Sequence, residues 1–472
     1  MSTLLITSTT EIARSVFQPL SYSAFHAYRY YLAGIAITVI GVIYGIFFSE
    51  IFFPGTAAAW AETMMGIFKL VWLAPLPYAL VNFYAFMRYP FYIRPTVQSV
   101  PQHLTTRLYV RIVTRGHNPN LVAGTVESAC RALSAALPLA KWRVEVVSDN
   151  PFELDDHNGQ VHLIVVPPDY QPASGAKYKA RALHYALTAS NAAPEDWIMH
   201  LDEETRFDAD TVRAIQRFIY QQRRKVMLRQ QNLPAIGQGI ITYGQGQIVN
   251  WFTTLADSIR VADDYGRFRL QYENGKAWFG MHGSFIVINN AIEASIGFDH
   301  GVAASITEDS YFALVAQTRG VPFAFINARM YEKSPFSVMD FIKQRRRWFG
   351  GIWFCVKTPD LPIKERFILG LFMWMWSVSW LCPVMVLVNF LYPTATPPWL
   401  GILSGIAFMY TISMYIIGFH CTFRREDLGS RYVPLLMAQI IGVPLFSFLE
   451  GAAVLYGLLA PPKDFYIVKK EA

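Results

Sequence analysis

The run Trp197–Leu201 is apolar and β-prone, and it leads straight into Asp202-Glu203-Glu204-Thr205. Alternate residues of an extended chain point the same way, so Asp202 and Glu204 are placed to converge on one cation while Glu203 points elsewhere. Carboxylate oxygens of this kind suit Mg²⁺ or Mn²⁺, which in turn holds a diphosphate through its oxygens. A second reading stands beside it: acidic residues ahead of the helical stretch near Asp208 complement the positive end of its dipole. Thr307-Glu308-Asp309 repeats the ambiguity, since a carboxylate at a helix start is either a cap or a general base. Asp149 closes the β-prone run Arg143–Val147, either as a ligand for a base or ribose or as part of an Asp-Asn turn. Lys177, Lys179 and Arg181 stand at the start of an apolar helical stretch, where cations either meet phosphate or form a solvated face. Gln344-Arg345-Arg346-Arg347-Trp348 lies on an amphipathic stretch whose arginines suit an anionic membrane surface.

Other patterns exclude chemistry. Cys130, Cys355, Cys382 and Cys421 have no metal-ligand spacing and form no disulfide framework. Gly237-Gln238-Gly239 and Gly244-Gln245-Gly246 lack the pattern and setting of a dinucleotide-binding loop.

The elements that must position these groups read as an α/β domain. Strands are expected over Leu108–Val113, Arg143–Val147, Val161–Val166, Trp197–Leu201, Gly237–Thr242 and Ser284–Ile288. Helices are expected near Leu121–Ala136, Lys179–Ala189 and Asp208–Arg223. Such alternation implies a mostly parallel sheet, whose ligands bind beyond the carboxyl ends of the strands.

This domain is flanked by segments that suit lipid. The 472 residues are 53% hydrophobic and 15% aromatic, with a mean hydropathy of +0.25, above the habit of soluble enzymes. Candidate spans are Tyr31–Phe53, Met64–Phe86, Phe367–Leu391, Leu400–Phe419 and Val433–Leu459, each close to the ~20 apolar residues a bilayer requires. The first run starts too far in and is too long for a cleavable signal peptide. Lys and Arg mark the cytoplasmic side: Pro54–Glu62 has none, whereas Arg88, Arg94, Arg424, Arg425 and Arg431 flank the middle domain's side. Five spans would place the tail outside, yet it carries Lys463, Lys469 and Lys470. Pro444 and Glu450 in the last run allow a broken or re-entrant helix that returns it. The net charge of +7 and pI of about 9.1 are ascribed to this topology rather than to nucleic acid, which is not an expected partner.

In this order, Asp149, Lys179, Asp202-x-Glu204, Thr307-Glu308-Asp309 and Gln344-x-x-Arg347-Trp348 resemble the signature of the processive-type family 2 glycosyltransferases, which include cellulose, chitin and hyaluronan synthases. Lys179-Ala-Arg-Ala-Leu183, His200-Leu-Asp-Glu-Glu-Thr205, Asn250-Trp-Phe-Thr-Thr-Leu-Ala-Asp-Ser258 and Tyr331-Glu-Lys-Ser-Pro-Phe336 are closer still to the egghead-type β-1,4-mannosyltransferases. The resemblance implies a GT-A-like cytoplasmic domain flanked by transmembrane helices in an integral protein of the plasma membrane or an equivalent one. It divides the chain into an N-terminal region (1–95) with two transmembrane helices, a glycosyltransferase domain (96–337), an interfacial helix (338–365) and a C-terminal membrane region (366–472) with about three.

The resemblance also implies roles. Asp149 contacts the nucleotide, Lys179 the base or phosphate region, and Asp202 with Glu204 the metal-bound diphosphate. Asp309 is the general base beside substrate-binding Glu308, and Arg347 stabilises the departing diphosphate. Gln344 and Trp348 meet the acceptor, a lipid-linked or free saccharide. Glu204 stands where many relatives carry Asp. The donor implied is GDP-mannose and the product β-linked; a processive synthase consuming a UDP-sugar is the alternative. A transporter reading fares worse, because the spans carry little charge beyond Lys69 and Glu450 and show no internal repeat.

Overall fold

A computed structural model describes residues 24–50, 59–89, 105–246, 248–462 and 466. Ile51–Phe53 of the first expected span, the greater part of the Pro54–Glu62 loop, Arg94 and the tail lysines Lys463, Lys469 and Lys470 lie outside them.

Among the described residues seven strands form one sheet in the order β3-β2-β1-β4-β6-β5-β7. β1 (Leu108–Thr114), β2 (Trp142–Ser148), β3 (Val161–Val165) and β4 (Trp197–Asp202) run parallel. β6 (Ile286–Asn289) is antiparallel to β4 and to β5 (Ile236–Thr242), and β5 is parallel to β7 (Phe323–Tyr331). The sheet is thus mixed but mostly parallel, as expected. β7 went unread because Asn327 and Arg329 interrupt its apolar run; Arg329 is buried against Tyr265, with Nη2 3.0 Å from its hydroxyl.

The soluble helices follow the strands. They are α4 (Pro119–Ser134), α5 (Tyr178–Ala189), α6 (Ala209–Met227), α7 (Trp251–Asp263), α8 (Arg269–Glu273), α9 (Asn290–Ile296) and α10 (Glu308–Thr318). β1 and β2 are buried almost throughout, because helices cover both faces of a parallel sheet. One ion-paired knot lies inside: Arg111 of β1 meets Glu145 of β2 at 3.0 Å and Glu293 of α9 at 2.9 Å.

The flanks are helical: α1 (Ala24–Glu50), α2 (Ala59–Lys69) and α3 (Leu76–Arg88) precede the domain. After it come α11 (Val338–Lys357), α12 (Ile363–Val378), α13 (Leu381–Leu391), α14 (Pro398–Thr422) and α15 (Tyr432–Leu459). Glu62–Arg88, Ile363–Leu391, Pro398–Thr422 and Arg425–Leu459 are long and apolar enough to cross a bilayer, with Leu32–Ile46 a shorter apolar helix. α1 and α14 pack antiparallel through small residues: a Cβ on Gly41 would stand 2.8 Å from the Ile406 Cα, and Thr38 shares a 2.6 Å hydrogen bond with Tyr410. Without a hydrophobic drive in lipid, such close backbone approach supplies the packing.

The last apolar run is not broken. α15 continues through Pro444 for 28 residues. It nevertheless keeps to the sheet domain and α11: Gln439 donates to the Leu255 carbonyl at 3.0 Å, Glu450 meets Arg345 at 3.1 Å, and Arg346 donates to the Ala460 carbonyl at 2.7 Å. Tyr466 then hydrogen-bonds Asp340 of α11. The described end of the tail therefore lies on the domain's own side, by packing rather than by a kink.

Candidate active site

Sheet order explains why residues far apart in the chain share one site. β1 lies between β2 and β4, with Thr114 level with Ser148 and Val113 level with Asp202. Asp149, one residue past β2, and Asp202, the last of β4, thus emerge at neighbouring strand ends. The chain turns at once after Asp202, closed by the Thr205 N–H to the Asp202 carbonyl at 3.1 Å. Glu204 is therefore placed by a turn and not by strand alternation. Glu203 accepts from the Thr114 hydroxyl at 2.5 Å and, contrary to the expectation from alternation, also lines the main cavity. Asp202 and Glu204 both line the main cavity.

Lys179 ties this end to the next motif. From the first turn of α5, its Nζ lies 2.5 Å from Asp202 Oδ1 and 3.7 Å from Glu308 Oε1, and it donates to the Gly283 carbonyl at 2.8 Å. Burial opposes its charge, but Asp202 and Glu308 outweigh burial and hold its pKa above the ordinary lysine range. Arg181, two residues on, pairs with Asp149 at 2.8 Å and with the Pro167 carbonyl.

Thr307-Glu308-Asp309 opens α10, and α11 closes over it. Gly351 allows this approach, since a Cβ there would stand 2.5 Å from the Thr307 side chain. Asp309 Oδ1 accepts from the Ser310 N–H at 2.7 Å, and a Cβ on Gly283 would come within 3.1 Å of Oδ2. Burial raises the Asp309 pKa, and burial together with the adjacent Asp309 charge pushes Glu308 up to about 7. Arg347 donates to the Ile306 carbonyl at 3.2 Å; its own pKa is lowered by burial, against the pull of Glu308 and Asp309. Raised carboxyls facing held cations inside one cleft are a usual mark of catalytic chemistry.

On α11, buried Gln344 accepts from Arg345 at 2.6 Å. Trp348 lines the cavity with two guanidinium groups over its ring, Arg260 at 4.3 Å and Arg345 at 4.4 Å. Arg345 is itself buried between Asp257 and Glu450. All nine residues named from the sequence line one cavity of about 1060 Å³, which continues past Asp309 between α3, α12, α13 and α14. Trp72, Trp376, Leu387 and Phe408 make that deeper part apolar.

A search against known proteins gives 34% identity over 417 residues to the β-1,4-mannosyltransferase egh of Drosophila melanogaster, covering 87% of this chain and 88% of that protein. The chain belongs to the egghead-type family 2 glycosyltransferases. The β-1,4-mannosyltransferase bre-3 of Caenorhabditis elegans is 32% identical over 92% of this chain and 97% of its own length. The family model "Glycosyl transferase family group 2" matches residues 197–421. Crystallographic S. aureus TarS 1-349 aligns with 77% of this chain and 94% of its own at 11% identity and a TM-score of 0.33, too distant a likeness to argue from.

The structure of this glycosyltransferase adds residues that its sequence left unremarked. His282 lines the cavity beside Asp309 and pairs through Nε2 with Asp264 at 2.6 Å. Asp257 and Arg260 reach the cavity from α7, and Tyr466 from the tail. Gly280-Met281-His282-Gly283-Ser284 offered a hint, a polar residue between glycines ahead of a strand. Glu450 drew notice only as a charge in an apolar run.

Proposed function

We propose that this glycosyltransferase moves mannose from GDP-mannose, with inversion, onto a lipid-borne saccharide at the cytoplasmic face of its membrane. One observation carries the reading: the polar strand ends, the raised carboxyl of Asp309 and the apolar space between membrane helices belong to one continuous cavity. A nucleotide diphosphate suits the first, an acceptor hydroxyl the second and a lipid anchor the third. Mannose and β linkage rest on the relatives named above, 34% and 32% identical over most of both chains. The cytoplasmic side rests on Arg424, Arg425 and Arg431.

The residues divide the work accordingly. Asp149, steadied by Arg181, meets the nucleotide, and Lys179 its phosphates. Asp202 and Glu204 offer the hard oxygens that Mg²⁺ or Mn²⁺ takes. Among the described residues no group of three or more His, Cys, Asp or Glu is gathered for a metal, so an ion held by these two would take its remaining ligands from the diphosphate and water. Such an ion, when bound, offsets charge growing on the leaving diphosphate. Asp309 takes the proton of the acceptor hydroxyl as that oxygen attacks the anomeric carbon. The bond to the diphosphate breaks on the opposite face, and Arg347 stabilises the departing charge. Glu308 keeps Lys179 in place, while Gln344 and Trp348 border the acceptor.

Lys69 donates to the Thr394 carbonyl at 2.8 Å and the Thr396 hydroxyl at 2.9 Å, tying the membrane helices together where Thr396 lines the cavity. The test is incubation of the purified protein with UDP- and GDP-sugars and Mn²⁺ or Mg²⁺, following nucleotide release and product size. GDP-mannose consumption with a short β-mannosylated product is the expected result. Preference for a UDP-sugar with a long polymer would replace this reading by that of a processive synthase.

A further inference from the structure

The geometry points to His282 as the residue that reads the acceptor sugar next to the base, a role that rests on the glycosyl-transfer reading above. Its backbone is fixed on both sides by buried Gln238, whose Oε1 accepts from the His282 N–H at 3.0 Å and whose Nε2 donates to the His282 carbonyl at 3.1 Å. The next carbonyl, of Gly283, is held by Lys179. Its imidazole is fixed as well: Nε2 is 2.6 Å from Asp264 Oδ1, and Asp264 Oδ2 accepts from the Ile241 N–H at 3.1 Å. Phe268 packs on the ring at 4.4 Å.

In the neutral imidazole with Nε2–H given to a carboxylate, Nδ1 is the acceptor atom. Nδ1 has no hydrogen-bond partner among the described residues and is not sealed from the cavity. A carboxylate 4% exposed is a costly support for a group that only packs. The position is equally specific. His282 and Asp309 line the cavity together, and a Cβ on the intervening Gly283 would stand 3.1 Å from Asp309 Oδ2; the wall beyond is Phe268, Phe279 and Tyr78 of α3, gathered around Arg267 at 4.7, 5.1 and 5.2 Å. It therefore stands between the base and a membrane helix, where the head of an anchored acceptor enters. A sugar hydroxyl beside the attacking one donates to Nδ1 and fixes which hydroxyl Asp309 deprotonates.

Two substitutions separate this role from a purely structural one. Asn places a polar atom near the position of Nδ1, whereas Gln places one near Nε2. The full-length protein is assayed with GDP-mannose alone, for donor hydrolysis, and with dodecyl β-glucoside, β-galactoside and β-mannoside as acceptors. His282→Gln is expected to lower acceptor kcat/KM about 10- to 100-fold, as for a lost buried hydrogen bond, with donor hydrolysis within about twofold. His282→Asn is expected to stay within about fivefold of the parent, since it keeps a partner for the hydroxyl. One monodeoxy derivative of the best acceptor should lose the same factor with the parent and nothing further with His282→Gln. Parent-like Gln with impaired Asn would mean that His282 only pins the loop to Asp264, and the role falls. Loss of donor hydrolysis in both variants would place the defect in the fold or the donor site, and the role falls again. A parent that hydrolyses and transfers no nucleotide sugar overturns the glycosyl-transfer reading itself, a result distinct from any confined to the variants.

Discussion

The two halves of the cavity are built by different means. The half proposed to take the donor consists of short segments at strand ends, with Asp149 after β2, Lys179 at the start of α5 and Asp202 closing β4. Each is placed by local chain geometry plus the order of a parallel sheet. The half proposed to take the acceptor draws His282 from a loop, Asp257 and Arg260 from α7, Trp348 from α11, Glu450 from α15 and Tyr466 from the tail. Only tertiary packing brings these together. Polar groups in the donor half pair in ways that a ligand can take over, whereas those of the acceptor half also hold helices to one another.

The largest expected effect falls where the halves meet. Asp309→Asn should lower transfer by about 10²–10⁴, the usual cost of losing a general base, while nucleotide affinity stays within a few-fold. Because burial raises the Asp309 pKa, the acid limb of the parent's rate profile should lie above the ordinary aspartate range near ~4. Turnover by the variant near the parent's rate would remove Asp309 from its role and, with it, the dividing point of the cavity.

Arg345→Ala tests the acceptor half as structure. Removing this guanidinium leaves Asp257 buried without its cation and cuts the tie to Glu450 on α15. Breaking a buried pair from one side typically costs ~3–5 kcal/mol. A lower melting temperature in detergent and loss of both donor hydrolysis and transfer are expected. An unchanged melting temperature would show that α15 does not depend on this network.

Asp202→Ala and Glu204→Ala test the donor half as ligand. Each should weaken metal-dependent nucleotide binding about tenfold or more, by loss of an oxygen ligand; the melting temperature of the unliganded protein should change little for Glu204→Ala and fall for Asp202→Ala, which leaves Lys179 without its nearest counter-charge. Calorimetry with GDP, with and without Mn²⁺, reads this directly. Equal enhancement by the metal in variant and parent would refute the assignment.

The same contrast sets what was legible in the sequence. Six of the seven strands and the order of the motifs were readable, because a parallel strand is a short apolar run and its ligand stands at its end. The pairing of Asp202 with Lys179 was not, since it depends on β4 lying beside β1 and on α5 crossing above them. His282 and Glu450 carried no periodic signal. The latter looked like an isolated charge in lipid until α15 proved to lie along α7 and α11. Pro444 suggested a break by local chemistry, and tertiary contacts on either side carried the helix through.

The smallest effect concerns Glu308, which belongs to both halves: it reaches Lys179 at 3.7 Å and abuts the base. Burial and the Asp309 charge push its pKa to about 7, above the ~4.3 of an exposed glutamate. The folded state therefore binds a proton that the unfolded chain has already released, across roughly pH 4.5 to 7. Stability from this group is fully present below that window and is lost as pH rises through it. Glu308→Gln keeps the neutral shape and cannot ionise, so the variant should match the parent near pH 4.5 and exceed it near pH 8. The gap should be on the order of 1–3 kcal/mol, seen as a few degrees in apparent melting temperature. A gap that is constant with pH would mean that Glu308 is ionised throughout, held by Lys179 as a fixed part of the donor half.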